Sequence, residues 1–139
     1  GEAPGADAFG NLRSPDYLYM NGPEIFHFTL RAVPQAVEQI LAKAGLGMGD
    51  LCVFLLHQAN RYMLDHLRRK LGIPEEKFVI AMRDYGNTVS STMPVALRDW
   101  AAAGKLKAGD RILLAGFGVG YSWAAGILTW GGTFNIRKS

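Results

Sequence analysis

Cysteine is nearly absent from this chain of 139 residues, which carries only Cys52. A single thiol cannot form an internal disulfide, so we expect a reducing compartment and a cytoplasmic location. No Cys/His spacing typical of a metal site is visible, and we expect neither a metal nor a bound cofactor. Because Cys52 lies within an apolar run, we expect a buried, inert thiol rather than a nucleophile.

Long hydrophobic runs are also missing, and none reaches the roughly 18–20 residues of a membrane span. No signal peptide is visible. Charge of one sign is not in large excess, since 15 basic and 12 acidic residues leave a net charge of +3. This balance does not indicate a nucleic-acid partner, although it is compatible with an acidic one. Hydrophobic residues make up 49% of the chain, which is enough for a packed core.

An initiator methionine is absent, and residues 1–16 are rich in Gly, Ala, Pro and Asp without any periodicity. We interpret residues 1–19 as a flexible loop or linker, 20–131 as one folded domain and 132–139 as a tail. The missing methionine leads us to expect a part of a longer protein.

Helical and strand-like patterns alternate along the rest of the chain, which predicts a layered α/β fold. Pro34 lies inside the first helical pattern and predicts a kink or a break there. The last two strands follow each other too closely for a crossover helix, so we expect a hairpin within a mixed sheet. The predicted helices cover 23–44, 59–71 and 92–103, and the predicted strands cover 51–56, 77–82, 111–117 and 121–130.

Polar clusters follow two of the predicted strands. The apolar run that ends at Leu56 is followed by HQAN, and the strand predicted over 77–82 is followed by YGNT. If these strands are neighbours, His57 and Asn87 share a crevice, where imidazole and carboxamide can donate two hydrogen bonds to an oxyanion. Taken singly, each residue has a simpler interpretation, as a structural histidine and a turn asparagine. We interpret His27 and His66 as structural.

The glycine-rich stretch GFGVG, residues 116–120, is not interpreted as a phosphate-binding loop. Such a loop leads from a strand into a helix, whose N-terminus binds the anion. Here the continuation is apolar and strand-like. The glycines therefore indicate a tight turn, either a plain hairpin or one that lets a ligand approach the backbone closely.

Basic residues crowd the helix that follows His57. Arg61, Arg69 and Lys70 either form an ordinary solvated helix face or offer a docking surface to an acidic partner.

Four motifs in this order and spacing resemble the C-terminal half of β-ketoacyl-acyl carrier protein synthase III. They are MNGPEIFHF at 20–28, HQAN at 57–60, GNT at 86–88 and GFGVGYSWAAGILTW at 116–130. The resemblance implies a thiolase-like half-domain of a homodimeric enzyme. It also implies decarboxylative Claisen condensation of acyl-CoA with malonyl-acyl carrier protein in fatty acid biosynthesis, with CoA and carrier-protein thioesters as substrates.

The resemblance also implies roles for individual residues. His57 and Asn87 would stabilise the enolate oxygen, and the backbone N–H of Val119 would stabilise the thioester oxyanion. The residues implied to bind substrate and pantetheine are Met20, Gly22, Phe26, Ala59, Asn60 and Phe117. The residues implied to bind the carrier protein are Arg61, Arg69 and Lys70.

Departures from the family pattern leave alternatives open. The family's nucleophilic cysteine belongs to an N-terminal half that this chain lacks, so we expect the isolated chain to be inactive. Tyr62 stands where an arginine is often found, and the stretch after GNT is unusual. One alternative is a stand-alone, non-catalytic thiolase-like binding module. Another is a related condensing enzyme of polyketide or specialised lipid assembly.

Overall fold

A small antiparallel hairpin precedes the main fold. Its strands are β1 (Gly5–Ala6) and β2 (Leu12–Arg13). Asp7 organises the turn, because its carboxylate accepts two backbone N–H groups and pairs with Arg13 at 2.7 Å. This local bonding by an aspartate gives regular structure where composition alone indicates a loop. The computed structural model describes residues 4–14, 20–118 and 120–132.

The long helix α1 covers Gly22–Ala44. Asn21 caps its N-terminus by accepting the backbone N–H of Glu24, and Gly45 ends it in the left-handed conformation, with φ of 64°. The helix runs through Pro34 without a break. Pro34 lies on the buried face between buried neighbours, so packing against the sheet offsets the lost backbone hydrogen bond.

The central sheet has three strands in the order β3–β4–β5. Strand β3 (Val53–Leu56) runs parallel to β4 (Arg111–Gly118), and β4 forms an antiparallel hairpin with β5 (Ser122–Thr129). The predicted mixed sheet ending in a hairpin is therefore confirmed.

Helices cover both faces of this sheet, which gives an α/β/α layer structure. Phe54 and Leu56 face the layer formed by α1 and α2 (Arg61–Lys70). Val53 and Leu55 face α4 (Thr92–Ala102) on the other side. All four side chains of β3 are buried, as expected for a strand between two helical layers. Among the described residues, no helix is both long and apolar enough to cross a membrane.

The strand predicted over 77–82 is wrong. After a short 3₁₀ turn at Glu75–Lys77, only Phe78 bridges to β3, opposite Phe54, and the chain then enters a one-turn helix, α3 (Met82–Tyr85). The N–H of Val79 still donates to the carbonyl oxygen of Phe54, but the carbonyl of Val79 and the N–H of Ala81 bond to the side chain of Gln58. Side-chain hydrogen bonds thus replace the ladder that the apolar pattern predicts.

Candidate functional site

His57 lies directly at the carboxyl end of β3, as predicted. Its backbone N–H donates to the carbonyl oxygen of Ala115 at 2.8 Å, which extends the β3–β4 pairing by one residue. The half-buried imidazole meets the edge of the Phe117 ring, with 5.4 Å between ring centroids. Burial lowers the pKa of His57 below its ordinary value, so the ring is neutral at neutral pH.

Thr92, the first residue of α4, holds the other side of this imidazole. Its hydroxyl oxygen lies 2.8 Å from Nδ1 of His57, and only 3% of the residue is exposed. Sequence reasoning missed Thr92, because a small polar residue before an apolar helix indicates only a cap. Its contact with a residue 35 positions away depends on the sheet, which brings α4 against the end of β3.

Asn87 follows the helix α3 rather than a strand, so the prediction that it ends a neighbouring strand is wrong. Its Oδ1 accepts the backbone N–H of Val89 at 2.9 Å. This bond fixes the orientation of the exposed amide and leaves Nδ2 free to donate. The carbonyl oxygen of Val89 in turn accepts the hydroxyl of Thr92 at 3.0 Å. A continuous set of contacts therefore connects Asn87 to His57.

Gln58 is a second residue that sequence reasoning missed. It is 1% exposed, and its side chain bonds to three backbone groups. Its Nε2 donates to the carbonyl oxygens of Leu56 (2.8 Å) and Val79 (3.2 Å), and its Oε1 accepts the N–H of Ala81 at 2.8 Å. Gln58 thus ties the segment that leads to Asn87 onto the end of β3.

The residues implied to bind pantetheine lie where α1 and α2 begin. Phe26 of α1 stacks on the ring of Tyr62 at 5.5 Å, and both Phe26 and Ala59 pack against the same core cluster. Asn60 caps α2 through its Oδ1, which accepts the N–H of Met63 at 2.8 Å, so its Nδ2 is free for a ligand. Met20 and Gly22 are exposed at the entry to α1.

Phe117, by contrast, lies at the imidazole of His57 rather than at these helix starts. Val119, whose backbone N–H is predicted to stabilise the thioester oxyanion, lies outside the described residues.

Three basic residues of α2 are exposed, namely Arg61, Arg69 and Lys70. Arg61 pairs with Asp65 at 2.9 Å, one turn further on. Arg69 donates to the backbone carbonyl oxygen of Asp65 at 3.2 Å, rather than to its carboxylate. Lys70 ends the helix and is exposed. The apolar face of α2 is formed by Met63, Leu64 and Leu67, which are buried against the sheet.

Cys52 is exposed, so the prediction of a buried thiol is wrong. Strand β3 begins at Val53, and Cys52 precedes it, with its backbone N–H bonded to the carbonyl oxygen of Arg111. At about 3.3 Å per strand residue, Cys52 lies roughly 16 Å from His57, at the opposite end of β3. This distance, rather than burial, separates the thiol from the imidazole.

Comparison with known proteins gives one family. A family model for the C-terminal region of 3-oxoacyl-[acyl-carrier-protein] synthase III matches residues 41–130. The β-ketoacyl-[acyl-carrier-protein] synthase III of Gloeobacter violaceus is 41% identical over 114 residues, which are 82% of this chain and 35% of that protein.

Solved structures agree. A 2.1 Å crystal structure of 3-oxoacyl-(acyl-carrier-protein) synthase III matches with a TM-score of 0.86 and 50% identity, over 91% of this chain and 38% of that one. The priming β-ketosynthase of the R1128 polyketide biosynthetic pathway matches with a TM-score of 0.76 and 35% identity, over 82% and 34%. These neighbours confirm the predicted thiolase-like half-domain. The chain spans about a third of the length of the relatives it matches. It belongs to the 3-oxoacyl-[acyl-carrier-protein] synthase III family and corresponds to the C-terminal region of those proteins.

Proposed function

We propose that the protein containing this chain is a β-ketoacyl-acyl carrier protein synthase of type III. In fatty acid biosynthesis it would join an acyl group from acyl-CoA to malonyl-acyl carrier protein. The observation that supports this most directly is the hydrogen-bonded connection between His57 and the free amide of Asn87. The nucleophilic cysteine would come from a part of the protein outside this chain, since Cys52 lies at the wrong end of β3.

The two side chains would act during decarboxylation. When the malonyl thioester loses CO₂, the electrons of the broken carbon–carbon bond form an enolate, and its oxygen becomes negative. Nδ2–H of Asn87 and an Nε2–H of His57 would donate to that oxygen, and losing one such donor typically costs about 10²–10³ in rate. The enolate carbon would then attack the acyl thioester, forming the new carbon–carbon bond and releasing the cysteine thiolate.

The helix starts beside the site would receive the pantetheine arm. Phe26 and Ala59 offer an apolar wall, and Nδ2 of Asn60 offers a donor for an amide carbonyl of the arm. The acidic carrier protein would dock on the exposed basic residues of α2. The further residues of this proposal are Met20, Gly22 and Phe117 for the substrate and Arg61, Arg69 and Lys70 for the carrier protein.

The test is CO₂ release from malonyl-acyl carrier protein by the full-length protein. His57→Ala and Asn87→Ala should each lower the rate by about 10²–10³, while acylation of the nucleophilic cysteine continues. His27→Ala is the matched control, because His27 is exposed on α1 and should leave the rate unchanged. Near-normal CO₂ release from the His57 variant would rule out its role.

A second candidate is a related priming reaction in polyketide assembly. It is favoured by one observation, the 35% identity to the priming β-ketosynthase of the R1128 pathway. Rates with carrier proteins of the two pathways would separate the candidates. If the full-length protein released no CO₂ with either carrier protein, a non-catalytic binding module would remain.

A further inference from the structure

Tyr62 is an exposed aromatic side chain at the start of α2, and 65% of its surface is open to solvent. Its ring stacks on Phe26 of α1 at 5.5 Å and lies 4.3 Å from the ring of His66. The His66 ring meets Phe26 edge-on at 5.5 Å, so the three rings contact one another. Nδ1 of His66 also lies 3.1 Å from the backbone carbonyl oxygen of Tyr62, which holds the imidazole in place. The cluster therefore supports the Tyr62 ring while leaving most of it exposed.

Helical spacing places Tyr62 in line with a basic residue. Tyr62, His66 and Arg69 stand at positions i, i+4 and i+7, so they form one row along the outside of α2. We call these three residues the outer stripe of α2. Lys70 borders the far end of the stripe, and both Arg69 and Lys70 are exposed. The buried face of α2 lies on the other side of the helix.

The outer stripe carries no acidic residue. Asp65 is the single acidic residue of α2, and its carboxylate pairs with Nε of Arg61 at 2.9 Å. Arg61 precedes Tyr62 by one residue, which is about 100° around a helix, so this ion pair flanks the stripe. The stripe therefore has an aromatic end, beside the predicted pantetheine residue Phe26, and a positively charged end at Arg69.

We propose that the outer stripe of α2 binds the acidic carrier protein through an aromatic anchor as well as through charge, and that Tyr62 is this anchor. The inference rests on the proposed function and names a further residue that selects its carrier-bound substrate. Arg69 and Lys70 pair with carboxylates of the carrier protein, and an apolar side chain of the carrier protein packs on Tyr62. Tyrosine and arginine dominate the binding energy of many protein interfaces. Because Phe26 supports the ring from behind, little side-chain freedom is lost on binding.

The two ends of the stripe should act on different steps of binding. Charges at the rim of an interface mainly speed association, and salt screens them. A packed ring mainly slows dissociation and does not depend on charge. Loss of the Tyr62 ring should therefore speed dissociation of the carrier protein at any salt concentration. Malonyl-CoA has no protein surface to place on Tyr62, so its use should not change.

The direct test is surface plasmon resonance of the full-length protein on immobilised holo-acyl carrier protein, at low and at high salt. Tyr62→Ala should raise the dissociation rate about tenfold at both salt concentrations. Tyr62→Phe keeps the ring and should bind like the unsubstituted protein. Phe9→Ala is the matched control, because it removes a ring that is 90% exposed in the turn between β1 and β2. An unchanged dissociation rate in Tyr62→Ala would overturn the inference.

Steady-state kinetics and thermal unfolding separate an anchor from a structural residue. Tyr62→Ala should raise KM for malonyl-acyl carrier protein, while kcat, KM for malonyl-CoA and the melting temperature stay unchanged. If another part of the full-length protein covers Tyr62, the variant should lose stability and use both donors equally poorly, which would also overturn the inference. Binding that depends on Tyr62 in a protein that releases no CO₂ would support the anchor and reject the proposed function. Normal CO₂ release with no dependence on Tyr62 would reject only the anchor.

Discussion

Replacing Gln58 with methionine tests how the candidate site is held together. The change keeps the approximate volume of the side chain but removes its three hydrogen bonds, to Leu56, Val79 and Ala81. At about 0.5–1.5 kcal/mol net for each bond, the free energy of unfolding should fall by about 1.5–4.5 kcal/mol. The methionine fills the space, so the cavity term is small.

The same substitution should also lower the catalytic rate, because residues 79–81 lead to the loop that carries Asn87. A displacement of about 1 Å in a catalytic group can cost roughly 10² in rate, so CO₂ release should drop more than stability alone explains.

Hydrogen exchange and denaturant unfolding of the full-length protein measure both effects. The amide of Ala81, which donates to Gln58, should lose protection, while the amide of Val79, which donates to Phe54 at 3.0 Å, should keep more of it. Gln35→Met, an exposed change on α1, is the matched control and should alter neither the hydrogen-exchange protection nor the free energy of unfolding. Unchanged exchange at Ala81, with an unfolding free energy within about 0.5 kcal/mol of the control, would refute the reasoning.

Three further predictions concern charge, pH and the thiol. Changing Arg69 and Lys70 to glutamate should lower the steady-state rate with malonyl-acyl carrier protein more than the rate with malonyl-CoA, and the difference should shrink at high salt. Equal losses of rate with both donors would show that the two residues form only a solvated helix face. Burial lowers the pKa of His57 in the folded state below its value in the unfolded state, which is about 6.5. The contribution of neutral His57 to the free energy of unfolding is therefore complete above about pH 6.5, and it is lost as the pH falls through the folded-state pKa. Urea unfolding at several pH values should show this decline, and His57→Asn should reduce it. The isolated chain should not condense acyl-CoA with malonyl-acyl carrier protein, because Cys52 is exposed but remote from His57; mass spectrometry that finds acyl-Cys52 together with condensed product would contradict this.

Local sequence signals predicted those parts of the site that depend on local chemistry. His57 follows an abrupt change from apolar to polar residues, and such a change marks the end of a buried strand wherever it occurs. The strand predicted over 77–82 failed because its apolar residues find only one partner in β3, while Gln58 takes the next backbone groups. Periodicity does not report which side chain will compete with a ladder.

Contacts between distant parts of the chain could not be predicted from local sequence patterns. Thr92 meets His57 only because α4 packs on the far face of β3. The exposure of Cys52 depends on a single position, since the buried strand begins one residue later, at Val53. A shift of one residue lies within the error of any boundary that is drawn from an apolar run.

The parallel pairing of β3 with β4 has a consequence for the order of folding. The hairpin of β4 and β5 closes over a very short turn. Pairing of β3 with β4 instead requires closure of the long connection formed by residues 57–110. The entropy of closing the longer loop disfavours that step by roughly 2–3 kcal/mol more than the hairpin. The hairpin should therefore nucleate early and β3 should dock late. His57, at the end of β3, would reach its place only in the last stage of folding, so a kinetic intermediate could bury much of the core and still lack the imidazole in its working position.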